Sequence, residues 1–200
     1  MRKIDDIAEL EALYPAAVPA ALVKVAPRLT PLYAAWIEQA RFCILSTSGP
    51  DGVHGSPRGD DGPVVEIDTP ERILMPDWRG NNRLDCLRDI VADGRAALLF
   101  MVPGSTTTVR VNGRAWLTDD AQMRARFAKG DKLPATVIVL NVAEVYTQCA
   151  KALLRADLWN RDDRAGLPTV GEILADMSQG AHGGPDYDRT YIENAKPRMW

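Results

Sequence analysis

Four short segments of this sequence concentrate cationic and amide side chains in patterns suited to a negatively charged ligand. Arg79-Gly80-Asn81-Asn82-Arg83 lies between a strand-like run ending near Pro76 and a helical pattern starting near Asn82. A helix start presents unpaired amide N–H groups and a partial positive charge, which suits a phosphate. Gly80 allows close backbone approach and Asn81 can cap the helix. Arg79 and Arg83 add charge-assisted, two-pronged hydrogen bonds to phosphate oxygens. Taken alone, the segment is equally well read as a capped surface helix with two solvated arginines.

Ser56-Pro57-Arg58-Gly59-Asp60 is the second segment; its plainer reading is a strand-edge turn with Arg58 paired to Asp60 or Asp61. The third runs from Thr106 to Gly113, where Arg110 and Asn112 share one strand face with Trp116, opposite an apolar set. A polar face turned into a small barrel is costly unless a ligand or partner covers it, and a solvated outer face is the alternative. The fourth is Cys149-Ala150-Lys151-Ala152-Leu153-Leu154-Arg155, with Trp159 close behind. Lys151 and Arg155 are four apart and share a helical face, which either reaches a ligand or is solvated.

The elements around these segments follow from periodicity and turn chemistry. Ile4 to Tyr14 reads as a short amphipathic helix, and Thr30-Pro31 as a capped start of another. Phe42–Leu45, Val53–Gly59, Val64–Ile67 and Arg72–Met75 read as strands, the first two joined by Gly49-Pro50-Asp51-Gly52. Asn81 to Val91 reads as a helix closed by Asp93-Gly94, and Ala96 to Val102 as an apolar strand. Val109 to Leu117 alternates, Asp119 to Ala128 is helical, and Thr136 to Tyr146 is a long β-rich run. Tight turns between most strands imply antiparallel pairing and closure into a barrel. The expected organisation is a helical segment over 1–40 packed on the barrel, a barrel over 41–160, and a helical or irregular tail over 161–200.

The 200 residues suit one domain with a sizeable core, and nearly half of them are apolar. A net charge of −3 gives no whole-chain basic field for nucleic acid or an anionic membrane. Cys43, Cys86 and Cys149 are odd in number, far apart and without a C-x-x-C pair, so they read as reduced, partly buried thiols. Only His54 and His182 could complete a metal site, and neither has ligand spacing, so no metal is expected. The N-terminus turns acidic where a signal peptide would turn apolar, and no apolar run reaches bilayer length; the expected location is cytoplasmic.

Taken in order, Ser56-Pro57-Arg58-Gly59-Asp60, Asp77-Trp78-Arg79-Gly80-Asn81-Asn82-Arg83-Leu84, Leu98-Leu99-Phe100 with Pro103-Gly104, Thr108-Val109-Arg110-Val111-Asn112-Gly113, and Cys149 through Trp159 resemble the pyridoxamine 5'-phosphate oxidase-like family of split barrels that bind flavin mononucleotide (FMN). The resemblance covers roughly residues 40 to 160. It implies a mainly β, antiparallel FMN-binding split β-barrel with flanking helices. It also implies a homodimer with two FMN sites at the interface. Residues implied to bind FMN are Ser56, Arg58, Arg79, Asn81, Asn82, Arg83, Thr108, Arg110, Lys151 and Arg155, the last two reaching across from the second subunit. The oxidase's R-x-V-L-L-K strand is replaced here by Ser-Pro-Arg-Gly-Asp, and its C-terminal substrate-binding Arg and His pattern is not evident. The resemblance therefore implies an FMN-dependent oxidoreductase, related to the oxidase but with a different substrate and with a nicotinamide cofactor as a candidate electron donor. The alternatives are a non-catalytic flavin-binding or redox-sensing module, or a split barrel that takes haem or a deazaflavin.

Overall fold

The computed structural model describes all of residues 1–200. Three short helices open the chain: α1 (Ile7–Glu11), α2 (Pro19–Val23) and α3 (Pro31–Ile37). Asp6 caps α1, accepting from the amides of Ala8 and Glu9, so the helix is shorter than the apolar stripe from Ile4 to Tyr14 implied. Thr30 caps α3 by accepting from Tyr33 N, and Pro31 fills the first position as expected. Neither α1 nor α2 buries a side chain. Ala26 forms an antiparallel bridge with Val145, and Leu29, Ile37 and Ala40 are buried.

Seven strands follow: β1 (Phe42–Gly49), β2 (Gly52–Gly59), β3 (Glu66–Thr69), β4 (Arg72–Asp77), β5 (Arg95–Met101), β6 (Thr108–Thr118) and β7 (Thr136–Gln148). Helix α4 (Asp85–Ala92) separates β4 from β5, and α5 (Ala121–Ala125) separates β6 from β7. Every pairing is antiparallel, in the order β2-β1-β5-β6-β7-β4-β3.

In a flat sheet, β2 and β4 would stand five strand spacings apart, about 24 Å. Instead, Arg58 on β2 forms an ion pair with Asp77 on β4. The sheet is therefore rolled until its two ends meet, and side chains rather than a backbone ladder bridge the seam. This is an antiparallel split β-barrel with flanking helices.

The interior holds Cys43, Leu45, Ile73, Leu98, Phe100 and Val111 among other apolar side chains, and α4 contributes Cys86, Leu87 and Ile90 to it. A smaller cluster of Leu74, Val137 and Val139 lies on the other face, against Met123 and Phe127. The alternation expected along β6 is present: Val109, Val111 and Ala115 are buried, while Arg114 and Trp116 face out. Ala143 is an extra residue on β7, because Asn112 opposes Glu144 while Gly113 opposes Val142. The backbones approach so closely there that a Cβ on Gly113 would lie 2.0 Å from the Asn141 carbonyl oxygen.

After β7 come α6 (Lys151–Ala156), α7 (Val170–Met177), α8 (Pro185–Ala195) and a 3₁₀ turn over Lys196–Arg198. Thr169 and Glu172 form a capping box at the start of α7. The Asp188 carboxylate ties α8 to α7, accepting from Thr169 Oγ1 at 2.6 Å and Gly171 N at 2.8 Å. The chain end returns to the barrel region, where Lys129 Nζ lies 4.6 Å from the Trp200 ring centre. No helix is long and apolar enough to cross a membrane. No cluster of His, Cys, Asp and Glu has the makings of a metal site.

Candidate functional site

The seam brings the first two cationic segments together. On edge strand β2, His54, Ser56 and Arg58 alternate on the inner face, opposite Thr47, Leu45 and Cys43. Arg58 Nη1 donates to Asp77 Oδ1 at 2.5 Å. The plainer reading expected Asp60 or Asp61 as its partner; both are instead engaged by Lys129 Nζ. Asp60 also accepts from Trp78 Nε1 at 3.1 Å. The segments around Arg58 and Arg79 are thus bonded in two places. Arg58 Nε is buried and has no acceptor in the chain, so one N–H of a charged group is left open.

The loop from Arg79 to Leu84 departs from expectation. No helix starts near Asn82 and Asn81 caps none: α4 begins at Asp85, after Leu84, without a side-chain cap. Asn81 Oδ1 accepts from Arg83 N at 3.1 Å, a local turn that competes with helical bonding. Asn82 and Leu84 both take left-handed backbone angles, φ 59° and 62°. The first turn of α4 carries its own acid, Asp85, which pairs with Arg83 Nε at 2.9 Å. Arg79, Asn81, Asn82 and Arg83 are all exposed, and Arg79 has no carboxylate partner.

The third and fourth segments also meet, on the outer face of the barrel. Thr108 and Arg110 oppose Gln148 and Tyr146 across the β6–β7 ladder. Arg110 Nη1 donates to Tyr146 Oη at 3.3 Å. With the Gln148 amide oxygen turned toward it, Arg110 also donates from Nε and Nη2 at 3.1 Å. Its partners are neutral, so its positive charge is not cancelled. Trp159 Nε1 donates to Ser105 O at 2.7 Å, folding the chain after α6 back to the start of β6. On α6, Lys151 and Arg155 are exposed and form no ion pair.

These two pairs of segments lie on opposite faces of the sheet. Arg58 shares the inner face with Cys43, Phe100 and Val109, whereas Arg110 shares the outer face with Leu99, Ile44 and Pro57. Within one chain the structure does not bring Arg58 and Arg110 to a common point on either face.

A further arrangement lay outside the sequence-based candidates. His54 Nδ1 and Thr47 Oγ1 both bond Asp89 Oδ2, at 2.7 and 2.6 Å. Asp89 is buried on α4, and only a glycine at position 49 leaves room for it, since a Cβ there would lie 2.2 Å from Asp89 Oδ1. The Asp89 hydrogen bond lifts the His54 pKa, and bonds from Thr47 and His54 lower that of Asp89. Periodicity did not mark it: Asp89 lies away from the Leu84, Leu87, Ile90 and Val91 stripe of the helical pattern, and only the packing of α4 buries it beside Cys86 and Ile90. Nearby, a groove of about 470 Å³ opens between α4 and the strand ends, walled by Leu84, Leu87, Val91 and Leu117 and reaching Asp77 and Thr136.

Of the thiols, Cys43 and Cys86 are buried, and burial pushes the Cys43 pKa up to about 12 against the opposing charge of Arg58. Cys149, expected to be partly buried, is exposed because β7 ends one residue before it.

Several solved structures share similarity with this chain. An FMN-binding protein from Syntrophomonas wolfei subsp. wolfei is 14% identical, with a TM-score of 0.41, covering 57% of this chain and 87% of its own. General stress protein 26 from Bacillus anthracis is 17% identical, with a TM-score of 0.42, covering 57% and 89%. HupZ from Group A Streptococcus is 13% identical, with a TM-score of 0.48, covering 60% and 93%. No curated protein gives a significant match. The sequence model described as pyridoxamine 5'-phosphate oxidase matches residues 29–149, more than half of the chain and nearly the whole barrel, and the chain belongs to that family.

Proposed function

We propose that this protein binds FMN and acts as a cytoplasmic oxidoreductase on a substrate other than pyridoxamine phosphate. The observation that carries the reading is the joining of the Arg58 and Arg79–Arg83 segments at the seam, in a chain whose family model spans the barrel. The residues present fit a phosphate monoester with a flat, partly apolar ring. Arg58 Nε is a buried donor without an acceptor. Arg79, Lys151 and Arg155 form no ion pair, and Arg110 has only neutral partners. The groove beside Asp77 offers apolar walls.

Arg79, Asn81, Asn82 and Arg83 would hold the phosphate, with Ser56 and Arg58 behind them on the inner face of β2. Arg83 must then exchange its bond to Asp85 for the phosphate. Thr108 and Arg110 lie on the outer face, which makes a second copy of the chain the natural way to complete the site. A homodimer would place Lys151 and Arg155 of one copy near the seam of the other. A cation beside the pyrimidine edge of the ring favours its reduced, anionic form, a role for Arg110 or Lys151. Bound FMN supplies hydride or electron transfer, with a nicotinamide cofactor as the proposed donor.

The absorbance spectrum of the purified protein tests the reading directly. Flavin bands, or retention of added FMN in a titration, are expected; a colourless protein that retains none overturns it, and a haem spectrum replaces it with the haem alternative. Arg83→Ala should weaken FMN binding more than Arg189→Ala in the tail. Steady turnover with reduced nicotinamide and an acceptor separates an enzyme from a flavin-binding module.

A further inference from the structure

His54 is the one imidazole near the seam, and the structure has already fixed its orientation. Its Nδ1 is bonded to Asp89, and its Nε2 has no partner in the chain. The side chain is 30% exposed, while the Asp89 side chain is 4% exposed. Asp89 has no lysine or arginine partner, so His54 is the only side chain that can neutralise this buried carboxylate. That contact favours the protonated ring, in which both nitrogens are donors.

The position matters as much as the charge. His54 continues the inner-face row of Ser56 and Arg58 along β2. Arg83 and Asp85, at the entry to α4, are close enough for their charges to act on the ring. Asp85 and Asp89 favour its positive charge and Arg83 opposes it; Thr47 on β1 is uncharged. A ligand anion placed on the Arg79–Arg83 loop would draw Arg83 away from Asp85 and add a negative charge facing the ring.

We propose that His54 is an anion-binding residue of this site, donating from Nε2–H to an oxyanion of the ligand held by the Arg79–Arg83 loop, with Asp89 as its positioning residue. The proposal rests on the FMN reading for the ligand's identity. Its chemistry requires only a phosphate-like oxyanion.

The chain has two histidines, so its imidazole NMR signals can be assigned with a single variant, His182→Gln. The signals are followed against pH without ligand, with FMN, and with inorganic phosphate. FMN should raise the His54 midpoint and leave that of His182 in place. His54→Gln should weaken FMN binding about tenfold below the His54 midpoint, the scale of one charge-assisted hydrogen bond, and little above it. Comparing variants at each pH cancels the ligand's own titration. Asp89→Asn should lower the His54 midpoint and shift the pH at which wild-type and His54→Gln affinities converge. A His54 midpoint unmoved by bound FMN, or equal affinities of wild type and His54→Gln below it, overturns the proposal. If FMN does not bind the wild-type protein, the flavin reading fails by itself. Inorganic phosphate then decides: a shift confined to His54 supports the anion contact, and no shift overturns it. Matching thermal unfolding curves show that His54→Gln acts on binding rather than on folding.

Discussion

Arg58 and Asp77 meet across the seam of the barrel, Nη1 to Oδ1 at 2.5 Å, although their strands lie five positions apart in the hydrogen-bonded order of the sheet. The pair does what a ladder does elsewhere: it holds two strand edges together. It does so with two groups that are 18% and 13% exposed, so each depends on the other for solvation. Removing one partner strands the second charge. Asp77→Ala should cost about 3 kcal/mol, at the low end for a broken buried pair because both groups retain some water. Replacing both residues with leucine should recover much of that loss, since a desolvated pair and an apolar contact are often close in energy. Urea unfolding midpoints of the three proteins check this; a double variant no better than Asp77→Ala would show that the pair's geometry, and not charge balance, closes the seam.

The close approach of β6 to β7 predicts an unequal response to the same small substitution. At Gly113 a methyl group would meet the Asn141 carbonyl at 2.0 Å, and two paired backbones have little room to part. Gly113→Ala should destabilise by about 1–3 kcal/mol, the usual range for overpacking. At Gly80 nothing lies within 4 Å and the backbone is not left-handed, so Gly80→Ala should be near neutral. Thermal unfolding of the two variants separates a glycine required by packing from one that packing leaves free.

The barrel was legible because its strands carry their faces in their residue types. Val109, Val111 and Ala115 against Arg110, Arg114 and Trp116 is an alternation with one reading, and the structure has it. The segment before α4 was less legible. Asn81 can cap a helix or bond its own neighbour two residues on, and the sequence does not rank the two; the structure takes the second, so the helix starts at Asp85. The seam was not legible at all. Arg58 had acids at positions 60 and 61 to pair with, and only the rolling of the sheet brings Asp77 to it instead. His54 and Asp89, 35 residues apart, were hidden for the same reason: their contact depends on how α4 crosses β1 and β2.

The three cysteines should divide cleanly under a thiol reagent. Cys43 and Cys86 are buried and the Cys43 thiol is pushed up to about 12, so neither offers a reactive thiolate in the native barrel. Cys149 is exposed at the entry to α6. One thiol per chain should be modified in native protein and all three after denaturation, as mass spectrometry would show. Replacing Cys149 with serine should abolish the native reaction; its persistence would mean that the barrel opens near Cys43 or Cys86.

The His54–Asp89 pair predicts how stability depends on pH. In the folded chain the His54 pKa lies above its ordinary 6.5, so protonated His54 stabilises fully below about pH 6.5 and loses that contribution as pH rises through its folded value. The Asp89 pKa lies below its ordinary 3.8, so ionised Asp89 stabilises above about pH 3.8 and loses its contribution as pH falls through its folded value. Both contributions are present together only between these limits. The stability difference between wild type and His54→Gln should therefore be largest near about pH 5 and shrink toward about pH 9 and toward about pH 2. Because Thr47 Oγ1 bonds the same Asp89 oxygen, Thr47→Val should narrow the window from the acid side while leaving the alkaline loss to His54. Urea unfolding across that range checks the shape; a difference independent of pH would show that His54 acts through packing and not through its charge.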